Sequence, residues 1–149
     1  MDKIELRVMK LTAGMLAIFL LALLYASYAR NVGMPACVPY SGVFSKPHLQ
    51  QIDSNTYEAF FVAKMWSFEP SDVYVPAGSD VDIYLTSSDV VHGFNISEKA
   101  VNLMAVPGAI NKKTVHFEKA GIYKIVCHEY CGIGHHSMEG EIIVYDKTK

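Results

Sequence analysis

The chain has 149 residues, enough for one domain of ordinary size plus an anchor. A formal net charge of −2 and 19% charged residues leave no basic footprint for nucleic acid, and three cysteines are too few for a disulfide-stapled scaffold. The hydrophobic fraction of 51% is slightly high, and one segment accounts for much of the excess.

That segment is LTAGMLAIFLLALLYASYA, residues 11–29, bracketed by Lys10 and Arg30. Its nineteen uncharged residues, at about 1.5 Å each, reach about 28 Å, close to the hydrocarbon thickness of a bilayer. Tyr25 and Tyr28 stand near its far end, where amphipathic rings favour the interface. A secretory signal is the competing reading, with Ser27-Tyr28-Ala29 as its cleavage site, but the apolar run exceeds the roughly 7–15 residues of a signal core. The expectation is a retained, single-pass transmembrane helix over 11–29. Lys3, Arg7 and Lys10 precede it and only Arg30 follows closely. Positive flanks face the cytoplasm, so residues 1–10 are expected inside a plasma (inner) membrane and the rest outside it, in the periplasm. From Cys37 onward nine lysines and no arginine stand against thirteen acidic residues. The outer part is mildly acidic, which permits a cationic partner without requiring one.

Residues 30–55 hold Gly33, Pro35, Pro39, Gly42 and Pro47 without periodicity and are expected to be a linker. From 56 to 149 short β-branched and aromatic runs recur between turn signals: TYEAFFVAKMW, DVYVPAG, DVDIYLTSS, VVHGFNI, VNLMAV, NKKTVHFE, GIYKIVC and GEIIVYD. DVDIYL alternates acidic and apolar residues, as a strand with one wet face does. Eight such runs predict an all-β sandwich or barrel, and no helix-period stretch of useful length occurs outside the anchor. A receptor, an adhesin or a redox carrier fits that architecture equally well.

The chemistry is concentrated in CHEYCGIGHHSM, residues 127–138, between the last two strand-like runs. The spacing is Cys127-x3-Cys131-x3-His135-x2-Met138, and Gly132 and Gly134 argue for a loop rather than a helical face. Thiolate and thioether are soft ligands that select copper, and imidazole suits copper or zinc. Three alternatives compete. Cys127 and Cys131 form a disulfide, which leaves His135 and Met138 without a purpose. A Cys2His2 zinc site takes His92 or His136 as its fourth ligand but has no use for methionine. A mononuclear blue-copper site leaves one cysteine surplus. Two copper ions sharing both thiolates use every residue of the motif.

Such a site needs a histidine from elsewhere, and His92 in SSDVVHGFNI is the best candidate, beside a glycine at the end of a strand-like run. His116 sits in the middle of a strand-like run and reads as a packing or surface residue, His48 falls in the linker, and His128 and His136 adjoin presumed ligands and point elsewhere by alternation. Cys37 is remote in sequence and reads as a bystander thiol.

Cys127-x-Glu129-x-Cys131-x3-His135-x2-Met138, preceded by Asp89-Val90-Val91-His92-Gly93-Phe94, resembles the CuA motif of subunit II of haem–copper cytochrome c oxidases. The resemblance covers the anchor and Thr56 to Asp146, and implies a cupredoxin-like Greek-key β-sandwich or barrel on one N-terminal transmembrane α-helix. It implies that Cys127 and Cys131 bridge two copper ions, that His92 and His135 ligate one each, that Met138 supplies a weak axial sulfur and that Glu129 contributes its backbone carbonyl. The chain would then receive electrons from a soluble or membrane-anchored cytochrome c and pass them to haem in subunit I. There O2 is reduced to water with proton translocation, and the haems and CuB belong to that partner. The single helix and short length resemble the ba-type (B-family) branch, which also carries a very small extra helix subunit.

One departure and one further match bear on function. In the larger branch an aromatic cluster W-x-W-S-Y receives the electron at its first Trp, whereas here Lys64-Met65-Trp66-Ser67-Phe68 puts lysine first. Trp66 and Phe68 are therefore the candidates for electron input. Glu5 lies where ba-type relatives carry an acid near a proton-channel mouth, against the plainer reading of a surface glutamate that snorkels. A metal-free adhesive or sensory sandwich and a copper-delivery module are the competing readings from other classes.

Overall fold

The structure, a computed structural model, describes residues 2–29, 36–38, 44 and 46–146, with 36–38 described by backbone alone. Arg30 and the Cys37 side chain, both weighed above, lie outside the described residues. The chain divides into two compact units, 1–33 and 34–149.

In the first unit, helix α1 spans Lys3–Ala29, 27 residues and about 40 Å at the α-helical rise. It starts well before the apolar run because Asp2 and Glu5 cap it. Leu6 N–H donates to the Asp2 carbonyl at 3.1 Å, and the Glu5 carboxylate accepts the Asp2 N–H at 3.0 Å. That is the reach-back half of a capping box. Its best window has a mean hydropathy of 2.1, and no residue of the helix is buried. The helix is thus long and apolar enough to cross a bilayer, with its side chains left for lipid or a partner helix.

The second unit contains β1 (Ala36–Val38), β2 (His48–Gln51), β3 (Thr56–Lys64), β4 (Ser67–Glu69), β5 (Asp72–Pro76) and β6 (Ser79–Ser87). It continues with β7 (His92–Ile96), β8 (Val101–Ala105), β9 (Ile110–Phe117), β10 (Gly121–Val126) and β11 (Glu139–Tyr145). One sheet runs β1-β9-β6-β3-β2 with β4 on β3; the other runs β5-β11-β10-β7-β8. Pairing is antiparallel except β3 with β6 and β5 with β11.

Alternation explains why the sheets face each other. In β6 Val81, Ile83 and Leu85 turn inward and are fully buried, while Asp80, Asp82 and Tyr84 face out. β11 likewise buries Ile142 and Val144. Each fully buried aliphatic side chain contributes about 1.5–3 kcal/mol of transfer free energy. Phe94 closes the middle of the core, edge-on to Phe61 at 5.1 Å and to Phe68 at 5.3 Å between ring centroids.

All eight predicted runs contain strands, and the described residues hold three more. β1 and β2 lie inside the 30–55 stretch expected to be a linker, so the folded unit starts near 34 rather than 56. Strands of three and four residues hold too few alternations to show a period. β2 is instead pinned by stacking: His48 lies parallel to Phe60 at 4.3 Å, Phe60 on Tyr84 at 4.7 Å, and Lys112 caps Tyr84 at 4.9 Å. These four residues are register partners across four strands, the cross-strand contact that stabilises sheets.

Candidate metal centre

Strand ends gather at one end of the sandwich. β10 stops at Val126, the 127–138 loop follows, and β11 begins at Glu139, directly opposite Val126. The loop's own ends are tied by Cys127 N–H to the Met138 carbonyl at 3.1 Å. Inside it, a short 3-10 turn over His135–Ser137 carries Ser137 N–H to the Gly134 carbonyl and Met138 N–H to the His135 carbonyl. This winding turns His135 and Met138 back towards the cysteines. β7 starts at His92 after the 88–91 connection and brings that ring in from the other side.

The six residues of the motif meet as follows. Cys127 Sγ and Cys131 Sγ are 3.8 Å apart, and both thiols are free and buried. A disulfide needs about 2.05 Å, so the disulfide alternative does not describe this structure. Cys131 Sγ lies 3.7 Å from His135 Nδ1 and 3.8 Å from Met138 Sδ. Cys127 Sγ lies 3.3 Å from the Glu129 carbonyl oxygen, while the Glu129 side chain is exposed. A nitrogen of His92 and both sulfurs fall within 4.8 Å of one another. Met138 and His92 are 0% exposed.

His92 tests whether a metal fits. Its Nε2 contacts Asp89 Oδ1 at 2.8 Å, and its Nδ1 is buried with no hydrogen-bond partner. A buried imidazole nitrogen left in that state is costly, and ligation of a cation removes the cost. The sulfurs are close enough to share an ion, since two bonds of thiolate–zinc length, about 2.3 Å each, span their separation. With two thiols, two imidazoles and a thioether the donor set is soft, which favours copper over zinc. Burial, then neighbouring Cys127, pushes the Cys131 thiol up to about 11, so an incoming cation must displace its proton.

Asp89, quoted in the motif but given no role there, is held in place on His92. Burial pushes its carboxyl up, but hydrogen bonds from His92 and from the N–H groups of Met65 and Val90 outweigh that and hold it below its ordinary value. A carboxylate on the far nitrogen of a ligating histidine fixes the ring's orientation and raises its basicity. The signal was present as Asp89-x2-His92, but nothing local distinguishes it from any turn carboxylate.

The remaining candidates fall as follows. Trp66 is 42% exposed and its indole N–H donates to the Cys131 carbonyl at 3.2 Å, so it joins the surface to the site. Phe68 is 1% exposed, turned into the core by alternation along β4, so of the two electron-input candidates Trp66 is the one that reaches the surface. Glu5 lies in the other unit and accepts the Asp2 N–H. His116 is on the outer face, with Nδ1 on Asp80 Oδ1 at 2.7 Å. His136 is exposed, and exposed His128 lays its ring against Gly93, where an added Cβ would meet it at 2.6 Å.

Comparison with known proteins agrees in its outline. The family profile "Cytochrome C oxidase subunit II, periplasmic domain" matches residues 59–146. A cytochrome c oxidase subunit 2 of Thermus thermophilus is 29% identical over 143 residues, covering 88% of this chain and 85% of the relative. A second Thermus thermophilus subunit 2 is 32% identical over 112 residues, 74% of this chain and 83% of the relative. Among solved structures, a chain of a haem–copper terminal oxidase dimer superposes with a TM-score of 0.85 at 38% identity, covering 95% of this chain and 99% of that one. The periplasmic domain of subunit II from Bradyrhizobium japonicum, at 21% identity and a TM-score of 0.56, shares the fold.

Proposed function

Because this chain belongs to the cytochrome c oxidase subunit II family, we propose that it is the electron-input subunit whose 127–138 loop, with His92, holds a dinuclear copper centre. The coarser frame is plain: a cupredoxin-like sandwich with one N-terminal apolar helix, a subunit of a haem–copper terminal oxidase, an oxidoreductase complex. The observation that carries the finer reading is the buried, unpartnered His92 Nδ1 beside two free thiols 3.8 Å apart.

In this reading Cys127, Cys131, His92, His135, Met138 Sδ and the Glu129 carbonyl would together hold two copper ions. The bound pair supplies one-electron storage spread over both metals and both sulfurs. The protein's part is to keep the ligands still and dry. Asp89 orients His92, Phe94 and the core seal the site from below, and the tied ends of the loop restrain the sulfurs. Second-order partners of this kind set ligand geometry and potential. Trp66 is the remaining side chain for electron input from a soluble or anchored cytochrome c. Haem in subunit I is the acceptor, and O2 reduction and proton translocation belong to that subunit with its haems and CuB. The ba-type branch fits best, with a small single-helix subunit as a further partner. Lys3, Arg7 and Lys10 place the N-terminus in the cytoplasm and the copper domain in the periplasm. Glu5, used here as a cap, is the remaining candidate for a proton-channel mouth.

The test is the full chain in detergent, loaded with copper. Two coppers per chain, a purple colour and an EPR signal shared by two nuclei are expected, and Cys131→Ser removes all three. One copper with a blue colour would establish a mononuclear carrier instead.

A further inference from the structure

The two halves of the site, the 88–92 segment and the 127–138 loop, are far apart in sequence. Both are gripped by the same two-residue turn. Met65 and Trp66 link β3 to β4, and the hairpin is closed behind them by the ion pair of Lys64 with Glu69. Met65 N–H donates to Asp89 Oδ2 at 2.6 Å, and the other oxygen of that carboxylate receives His92 Nε2 at 2.8 Å. The next residue, Trp66, donates its indole N–H to the Cys131 carbonyl at 3.2 Å.

The loop is shaped to receive that ring. A Cβ on Gly134 would lie 2.4 Å from Trp66 Cδ2, and one on Gly132 would lie 3.1 Å from Trp66 Nε1. Gly132 also has φ of +119°, a conformation that L side chains rarely adopt. The two glycines of CGIG thus leave a flat seat for the indole. The peptide following Cys131 is held in its unusual orientation by the indole hydrogen bond. Fixing that peptide fixes the Cα from which the sulfur projects.

We infer that the Met65–Trp66 turn is a clamp that sets the distance between the His92 and Cys131 halves of the metal site, with Trp66 as a positioning residue acting through the Cys131 backbone. The inference rests on the copper reading for its consequence, but the clamp itself is a property of the protein alone. A rigid hairpin touching both ligand-bearing segments is what a preorganised site needs. Each half is then held by one hydrogen bond from consecutive residues.

Two variants of the full chain in detergent test it. Trp66→Phe keeps a ring on the glycines and removes the N–H. It is expected to keep its secondary structure, bind copper about tenfold more weakly in chelator competition, and show shifted cysteine β-proton resonances in the paramagnetic NMR spectrum. Copper affinity and cysteine resonances identical to the parent would overturn the positioning role. Gly134→Ala pushes the ring off its seat. Trp66 is the chain's one tryptophan, so its fluorescence in the copper-free protein is expected to move to longer wavelength. Unchanged emission would overturn the seat. Gly134→Ala is also expected to weaken copper binding, and in the double variant the two losses in copper affinity should be less than additive because both act through one contact; full additivity counts against the clamp. A parent chain that binds no second copper sinks the functional reading instead and leaves the fluorescence test standing.

Discussion

Two histidine–aspartate pairs in this molecule have nearly the same length and opposite meanings. His92 meets Asp89 at 2.8 Å at the end of the sandwich; His116 meets Asp80 at 2.7 Å on the outer face of the six-stranded sheet. The His92 side chain is 0% exposed and its second nitrogen has no partner, whereas the His116 side chain is 48% exposed. A carboxylate hydrogen bond by itself therefore says little. What marks His92 is full burial, a second nitrogen without a hydrogen-bond partner, and two free thiols within 4.8 Å of a ring nitrogen.

Substitutions separate the pairs in order of size. His92→Ala should abolish the two-nucleus EPR signal and lower copper retention by more than the roughly 10–100-fold that an outer partner's loss costs. A variant that still binds two coppers with the parent's spectrum would remove His92 from the ligand set. Asp89→Asn should weaken copper by about tenfold, because one amide oxygen cannot replace both carboxylate oxygens, which accept Met65 N–H on one and Val90 N–H and His92 Nε2 on the other, and the charge facing His92 is lost. Chelator competition measures this, and parent-like affinity would reduce Asp89 to a turn former. His116→Ala should change thermal stability by no more than about 0.5 kcal/mol and leave the copper spectrum untouched, as exposed pairs contribute little. A spectral change there would erase the distinction between the two regions.

Much of this was legible in residues that act locally. The apolar run from Leu11 announced the helix, and the eight alternating runs announced a sandwich. The motif's four side chains lie within one turn-rich loop, where spacing alone brings them together. The reading weakened wherever partners are distant or elements short. β1 and β2 were hidden in a stretch read as linker, because three or four residues carry no period and β1 pairs with distant β9. That Phe68, one of two electron-input candidates, faces the core became visible only with β4 in place. Glu5 looked free until the helix start placed its carboxylate on the Asp2 N–H.

By itself, then, the amino-acid order determined the soft side chains of the motif, their spacing in the loop, the apolar helix and the strand composition, since each follows from neighbours within a few positions. Only the tertiary structure decided that His92 faces the thiols with one nitrogen unpartnered, that Asp89 holds its other side, and that one turn at Met65–Trp66 touches both halves. The contacts of Met65 with Asp89 and of Trp66 with Cys131 join residues 24 and 65 positions apart in the chain. Their geometry depends on strand register and sheet packing, which no local pattern encodes.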